Sequence, residues 1–334
     1  MKRVTIADVA RHANVSKSTV SQFLNKRYDY MGEGTKDRIE QTIIQLGYRP
    51  NIVARSLKQK KTFTIGVIVG NILYSISTQI IRAIEDVCRG NDYHVIVCNA
   101  DDNHLTEKKY FEMLIAKQVD GLIVFPTAKN IELYRSILKE QFPLVFMDRL
   151  VPDIPVDTVL LNNHAASELA VQHFIEKGYN RIAIVTNSLH RHITARMERI
   201  EGYKKAIEDA GIPIREDYIL AVEVDQLKSG LKQLLSLSSP PEAILAGNDF
   251  VLTEILYHLK EQNMLLPNDL ALIGIDDVEF ANFHSPPITT VKQPSFDMGK
   301  KAAELLLLKI ESGNIEWVPE IYRFEPELII RESC

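Results

Sequence analysis

Apolar positions near the start of the chain recur with helical spacing. Ile6, Val9 and Ala10 share one face behind Thr5, which stands where an N-cap belongs, and Asp8 sits where a capping box needs it. Ala13-Asn14-Val15 breaks the pattern. Ser16 can cap a second helix carrying Val20, Phe23 and Leu24 at i, i+3, i+4. A third helix is expected after Thr35, with Ile39, Ile43, Ile44 and Leu46 turned inward and Gly47 as its stop. From Thr64 the grammar changes to short apolar runs separated by helical patterns. TIGVIV, HVIVCNA, GLIVFP and PLVFMD read as parallel strands covered on both faces. After Leu160 the cycle restarts with RIAIVT, YILAVEV, AILAGND and ALIGID, and the tail adds a helix and strand material. The fold class expected is a small all-α head followed by two doubly wound α/β units.

Composition bounds the function. The 334 residues are 46% hydrophobic and 25% charged, as in a globular chain of two or three domains. No apolar run is long enough to span a bilayer, and the basic start has no apolar core of a secretory signal. Cys88, Cys98 and Cys334 lack metal-ligand spacing, so free thiols in a reducing cytoplasm are expected. Residues 1–61 hold 13 Lys and Arg against 5 Asp and Glu; the rest hold 26 against 39. A basic head on an acidic body points to a polyanionic partner. No dinucleotide fingerprint, P-loop or nucleophile elbow follows any strand, so an enzyme reading lacks its chemistry, and no cofactor or metal is expected.

IADVARHANVSKSTVSQFLN has the spacing of a helix-turn-helix, whose second helix presents its polar N-terminal residues to the major groove. Lys17, Ser18 and Gln22 point away from the Val20/Phe23/Leu24 face. Lysine can read guanine and glutamine can pair bidentately with adenine. A helical hairpin with a solvated face would share this pattern. The whole chain, however, resembles the LacI/GalR family of bacterial transcription regulators. The resemblance is carried by the head, by Gly47-Tyr48-Arg49-Pro50-Asn51 with Ala54-Arg55-Ser56-Leu57, and by Gly274-Ile275-Asp276-Asp277 before Pro286-Pro287-Ile288-Thr289-Thr290-Val291.

That resemblance implies DNA contacts from Thr5, Lys17, Ser18, Thr19, Gln22, Asn25, Tyr48, Asn51, Ala54, Arg55, Leu57 and Lys58. Family members most often have Arg where Gln22 stands, so an adenine contact is expected in place of a guanine. The Lys26–Met31 loop is one residue longer than usual; its aromatics either pack on the third helix or touch the DNA backbone. Residues 51–57 match the hinge helix. Seven residues cannot hold a helix alone, but a pair of them in the minor groove can, with Leu57 as the wedge that kinks the duplex. The α/β pair then resembles the periplasmic sugar-binding fold, with a ligand between subdomains at the strand C-terminal ends. The effector residues implied are Ser77, Phe125, Asp148, Arg149, Arg191, Arg199, Gln226, Asn248, Asp276 and Gln293. Asp249 is expected to cap a helix, Asn248 and Asp276 to meet ligand. Arg196 is an extra cation that Glu198 and Glu201 could neutralise, and His190 and His192 are expected to be solvated.

The organisation expected is a head at 1–48 and a hinge and linker at 49–61. An N-terminal core subdomain at 62–161 plus 291–322 and a C-terminal one at 162–290 plus 323–334 complete it. The function expected is a cytoplasmic, dimeric, operator-binding repressor. IRAIEDVC, HVIVCNADD and AKQVDGLIVFPT look like regulators of 2-keto-3-deoxygluconate (pectin and hexuronate breakdown) genes of bacilli. Several arginines near the crevice fit a sugar acid, since unpaired buried cations are costly. A phosphorylated or neutral sugar, or a sugar-binding protein without a DNA role, are the alternatives.

Overall fold

The computed structural model describes residues 4–29, 31–48, 61–189, 193–313 and 317–334. It divides into Met1–Thr62 and Phe63–Cys334. In the first unit, α1 (Ile6–His12) opens on a carboxylate clamp. The Thr5 N–H and hydroxyl donate to Asp8 at 3.0 and 2.6 Å. For α2 (Lys17–Leu24) the Ser16 hydroxyl accepts from the Thr19 N–H at 3.0 Å. The third helix, α3 (Glu33–Leu46), starts two residues before Thr35 and stops at Gly47, whose φ of 59° favours glycine. Val9, Ala10, Ala13, Val20 and Ile39 form the buried centre of the head. Ile44 is 68% exposed rather than inward, because it lies a further 100° around the helix from Ile43. Tyr28 packs edge-on to Phe23 at 6.0 Å and lies under Lys36 of α3 at 4.6 Å. Of the two loop readings, that one describes Tyr28; Tyr30 lies outside the described residues.

The second unit holds two six-stranded sheets. In the first, β1 (Thr64–Val69), β2 (His94–Asn99), β3 (Gly121–Val124), β4 (Leu144–Met147), β5 (Asp157–Leu161) and β11 (Ile321–Phe324) run parallel in the order β11-β5-β4-β3-β1-β2. The second has β6 (Ile182–Asn187), β7 (Ile219–Val222), β8 (Ala243–Ala246), β9 (Ala271–Ile275), β10 (Thr289–Lys292) and β12 (Glu327–Ile329), in the order β12-β10-β9-β8-β6-β7. Only β12 is antiparallel there. Alternate residues face opposite sides: Val67 and Ile123 enter one core layer, Ile68 and Leu122 the other.

Around the sheets lie α4 (Ser75–Gly90), α5 (His104–Ala116), α6 (Ile131–Lys139), α7 (Asn163–Glu176) and α8 (Thr194–Asp209). They are followed by α9 (Leu227–Leu235), α10 (Asp249–Gln262), the short α11 (Phe280–Phe283) and α12 (Ser295–Ser312). The chain passes between sheets after β5, after β10 and after β11. The subdomain breaks expected after 290 and 322 therefore fall later, since β10 completes its pairing with β9 and β11 with β5 first. Strand β5 (DTVLL) was not marked by the apolar pattern; it begins at the fully buried Asp157, which Lys309 pairs at 2.6 Å. Among the described residues no helix is long and apolar enough to cross a membrane.

Helices α7 and α8 cross where Gly202 faces His164. A Cβ at Gly202 would sit 2.7 Å from the His164 Cα. Gly202→Ala gains helix propensity of about 1 kcal/mol but forces the helices apart at about 1–3 kcal/mol. The expected outcome is a lower melting temperature by circular dichroism; an unchanged or higher one contradicts the tight crossing.

Candidate binding crevice

Both sheets have the strand order of a doubly wound fold, β2-β1-β3-β4-β5 and β7-β6-β8-β9-β10. Such sheets bind ligands beyond their strand C-terminal ends. Residues just past those ends are Gly70, Asp102, Phe125, Asp148 and Arg149 in the first lobe. In the second, Asn187 is the last residue of β6, and Ser188, Gly247, Asn248, Asp249 and Asp276 follow the strands. Asp102, Asp148 and Asp276 have φ of 52°, 66° and 86°. That left-handed backbone, uncommon outside glycine, concentrates at functional turns.

Three guanidinium groups are buried here. Arg149 is 5% exposed; its Nη2 meets Asp102 at 2.7 Å and its Nε lies 3.5 Å from Asp148. Burial alone would lower its pKa, but Asp102 and Asp148 hold it above the ordinary arginine value. Arg196 and Arg199 lie one turn apart on α8. Arg196 donates to the Ser188 carbonyl at 2.9 Å and reaches Asp102 at 3.5 Å. Glu198 and Glu201, its expected neutralisers, are engaged elsewhere: Glu198 with Arg323 at 2.7 Å and Glu201 with His164 at 3.0 Å. Arg199 donates to the Asn163 side chain at 2.9 Å and to the Gly247 carbonyl. The expectation of unpaired cations is thus corrected for Arg149 and Arg196, which share one carboxylate.

Asn248 takes the helix-capping role expected of Asp249. Asn248 is the N-cap of α10, accepting from the Val251 N–H at 2.8 Å and donating to Asn187 at 2.6 Å. Asp249 instead reaches the other lobe, accepting from the Ser75 N–H at 2.6 Å. Asp276 accepts from Gln293 and from the Asp249 N–H. Burial, then the neighbouring Asp249, push its pKa up to about 6, against the pull of Arg199. A cavity of about 450 Å³ opens where the chain passes between lobes. Ser75, Gln79, Asp276, Gln293 and Ser295 line it, and none of the three arginines does.

Ser77 is buried in the first turn of α4 and Phe125 at the end of β3. Asp148 is half-buried. Gln226 is exposed at the start of α9, and its described hydrogen bonds are made by its backbone, to the Glu223 carbonyl and from the Ser229 hydroxyl, so it does not join the others. Arg191, with His190 and His192, lies outside the described residues. Asp102, Asn163, Asn187 and Ser188 were missed. Asp102 ends HVIVCNADD and was open to the same strand-end rule that picked Asp148; Asn163 carries no such signal.

In the head, Lys17, Ser18 and Gln22 are exposed on α2, clear of the buried Val20. Thr19 is half-buried with its hydroxyl 2.8 Å from that of Ser16, and Thr5 is held by Asp8. Asn25 is half-buried and bonds the Ser21 carbonyl at 2.7 Å, and Tyr48 packs on the head core. Thr5, Thr19 and Asn25 thus support the two helices, and Tyr48 the core behind them. Asn51, Ala54, Arg55, Leu57 and Lys58 lie outside the described residues.

The family model for bacterial regulatory proteins of the lacI family matches residues 5–51, and the periplasmic binding protein-like domain matches 171–334. A probable HTH-type transcriptional regulator, EndR of Paenibacillus polymyxa, is 51% identical over 98% of each chain. The regulator KdgR of Bacillus subtilis is 33% identical over 98% of this chain and 97% of its own. The repressor PurR of Actinobacillus pleuropneumoniae is 34% identical over 98% of each. Among solved structures, the lac repressor dimer bound to operator and the anti-inducer ONPF covers 99% of each chain with a TM-score of 0.85 at 24% identity, a likeness of fold. The complex of the regulator CelR with cellobiose covers 99% of this chain and 100% of its own, with a TM-score of 0.74 at 25% identity. With a lacI-family head, a periplasmic-binding-like core and full-length regulators at up to 51% identity among its relatives, the chain belongs to the LacI family of bacterial transcriptional regulators.

Proposed function

We propose that this regulator is a cytoplasmic, non-catalytic repressor whose crevice takes a sugar acid of the 2-keto-3-deoxygluconate type. One observation carries the reading: buried Arg149 keeps Nη1 without a hydrogen-bond partner among the described residues. A buried guanidinium N–H left unmade is costly, and a ligand carboxylate satisfies it in forked geometry. Asn187 Nδ2 and Gln293 Oε1 are likewise unpartnered, a donor and an acceptor suited to hydroxyls. Arg149, with Arg196 and Arg199 beside it, would hold the carboxylate, and Asp276, Gln293 and Asn248 the hydroxyl end near the 450 Å³ cavity.

A neutral sugar is the second reading, favoured by the charges. Asp102, Asp148, Asp249 and Asp276 already face three arginines. Calorimetric titration with 2-keto-3-deoxygluconate, galacturonate, glucuronate, gluconate, a hexose phosphate, glucose and cellobiose separates the two. An acid binding tightest, and shifting the operator complex in a mobility assay, is expected; glucose or cellobiose outcompeting every acid overturns the sugar acid.

Asp276 makes binding pH-dependent. A ligand hydroxyl donating to it requires the carboxylate, and its pKa in the ligand-free protein is raised to about 6. Affinity should therefore be full well above pH 6 and weaken as pH falls through 6, while Asp276→Asn flattens the profile. The same raised pKa means the folded state binds the extra proton. Its contribution to stability is present below the unfolded value of 3.8 and declines as pH rises from there through 6. Affinities at pH 5, 6 and 7.5 test this; tighter binding at pH 5 contradicts the carboxylate's role.

For DNA, α2 would read base edges through Lys17, Ser18 and Gln22, with Thr5, Thr19, Asn25 and Tyr48 close to the backbone. Residues 51–57 would form a paired hinge helix in a dimer, Ala54 and Leu57 in the minor groove, with Asn51 among its DNA contacts and Arg55 and Lys58 on phosphate. A change of lobe angle on ligand binding would alter the spacing of the two hinges and so operator affinity. Gln22→Ala should relax one position per half-site at about 1–3 kcal/mol. Lys58→Ala should instead weaken all sites and reduce the salt slope. Selection from a randomised operator library checks this, and an unchanged consensus for the Gln22 variant defeats the assigned register.

A further inference from the structure

At Asp102 an ion pair joins the two lobes within the crevice, as Arg323 of β11 and Glu198 of α8 do elsewhere at 2.7 Å. It follows β2 in the first lobe and is 9% exposed. Its carboxylate meets Arg149 of its own lobe at 2.7 Å and Arg196 of the opposite lobe at 3.5 Å. The backbone around it is committed to this position. Asp101 and Asp102 both take φ near +50°, the Asp102 N–H donates to the Gly70 carbonyl at 2.7 Å, and the next residue, Asn103, caps α5. Gly70 makes the room: a Cβ there would lie 2.5 Å from Arg149 Nη2 and 2.7 Å from Asp102 Oδ1. Two nearby bonds also cross the crevice, from the Leu150 N–H to the Thr194 hydroxyl at 2.9 Å and from the Ser75 N–H to Asp249 at 2.6 Å.

The geometry points to Asp102 as an internal counter-anion of the effector site. We propose that it occupies Arg149 and Arg196 while the crevice holds no anion, and that a ligand carboxylate takes its place on them. The inference rests on the sugar-acid reading and adds the residue that sets the site's charge. One carboxylate serves two buried guanidiniums, and Arg149 still has an N–H to spare, so a second anion has a donor to approach before Asp102 leaves. Asp102 is tethered to the first lobe and a ligand is not. Exchange therefore changes what ties the lobes together, from a short fixed arm to a molecule that also reaches Asp276. Asp102 also opposes the ligand it makes way for, because like charges at one site repel. Its removal should favour anions over neutral sugars.

The test uses the full chain with Asp102→Asn and Asp102→Ala. Thermal unfolding is followed in formate or sulfate against chloride at one ionic strength. Both variants should melt lower than the wild type in chloride and recover with formate or sulfate, since an anion binding only the folded state stabilises it in proportion to the logarithm of its concentration. The wild type should respond less, because Asp102 already holds both guanidiniums and the general stabilising effect of sulfate is common to all the chains. Addition of Arg196→Gln to Asp102→Asn should abolish the recovery, which a merely structural loss would not do. Variants that do not respond to anions overturn the inference, as does a wild type that responds equally. If Asp102→Ala does not fold, Asp102→Asn, similar in shape, carries the same test. Calorimetry with galacturonate and galactose then reads the ligand preference, and Asp102→Asn should raise the affinity ratio of acid to neutral sugar about tenfold, the removal of one screened like charge. An unchanged ratio, in a wild type that binds galacturonate, overturns the inference and leaves the sugar-acid reading standing. Anion recovery in the variants, with no sugar acid bound by the wild type, supports the counter-anion and removes the sugar-acid reading alone.

Discussion

Buried guanidinium groups govern this core, because each must be satisfied by something that does not leave. Arg149, Arg196 and Arg199 lie between two parallel sheets with almost no access to water. Arg199 is met by neutral oxygens of Asn163 and Gly247. Arg149 and Arg196 divide the carboxylate of Asp102. Burial makes such pairs worth little as net stabilisation, yet costly to break on one side only. In the proposed site they would act as specificity devices, since a ligand that displaces one partner would have to offer an equivalent.

The rest of the crevice follows from that requirement. Asp276, kept near the boundary of ionisation by burial and by Asp249, is held by Gln293 at the point where the chain leaves the second lobe. Gln293 follows β10 and precedes α12, so a ligand on Asp276 touches the chain between lobes. Asp249 holds the N-terminal turn of α4 through Ser75. Polar contacts tie the lobes at Asp102, by charge, and at Ser75, by a neutral donor, besides Leu150 with Thr194 and Arg323 with Glu198. A ligand that disturbs one and engages another has differential affinity for two lobe arrangements, which is what a population shift requires.

Most of the architecture was legible because parallel strands buried on both faces leave continuous apolar runs, and eight of them stood out. Strand β5 was not, since it starts at Asp157, a charge that Lys309, Trp317 and the Glu320 N–H from the far end of the chain make tolerable. The helix caps of Thr5 and Ser16 were legible because capping is local. The roles of Asn248 and Asp249 were not. Both residue types can cap, and which one does so depends on a Ser75 N–H 174 residues away. Arg196 misled for the same reason. Helical neighbours Glu198 and Glu201 are near in sequence, but only residues three or four apart face each other. At offsets of two and five these fall on other faces and find Arg323 and His164.

The strand-end rule explains how one fold serves many ligands and why Asp102 escaped notice. The sheets fix where the ends lie, and the first one to three residues beyond each end supply the chemistry. Changing a ligand therefore needs changes at those few positions and leaves both cores intact. Here the residues after β2 and β4 form an acid–base pair, Asp102 with Arg149, in space cleared by Gly70 after β1. The three positions depend on one another. A side chain at 70 would displace the pair, and loss of either charge would strand the other in a dry site. Neither an acid nor a base after a strand is informative alone, since each is common there. Their meaning comes from the β1–β2 and β1–β3–β4 pairings that bring three strand ends together, and from α8, which brings Arg196 to the same carboxylate from the other lobe.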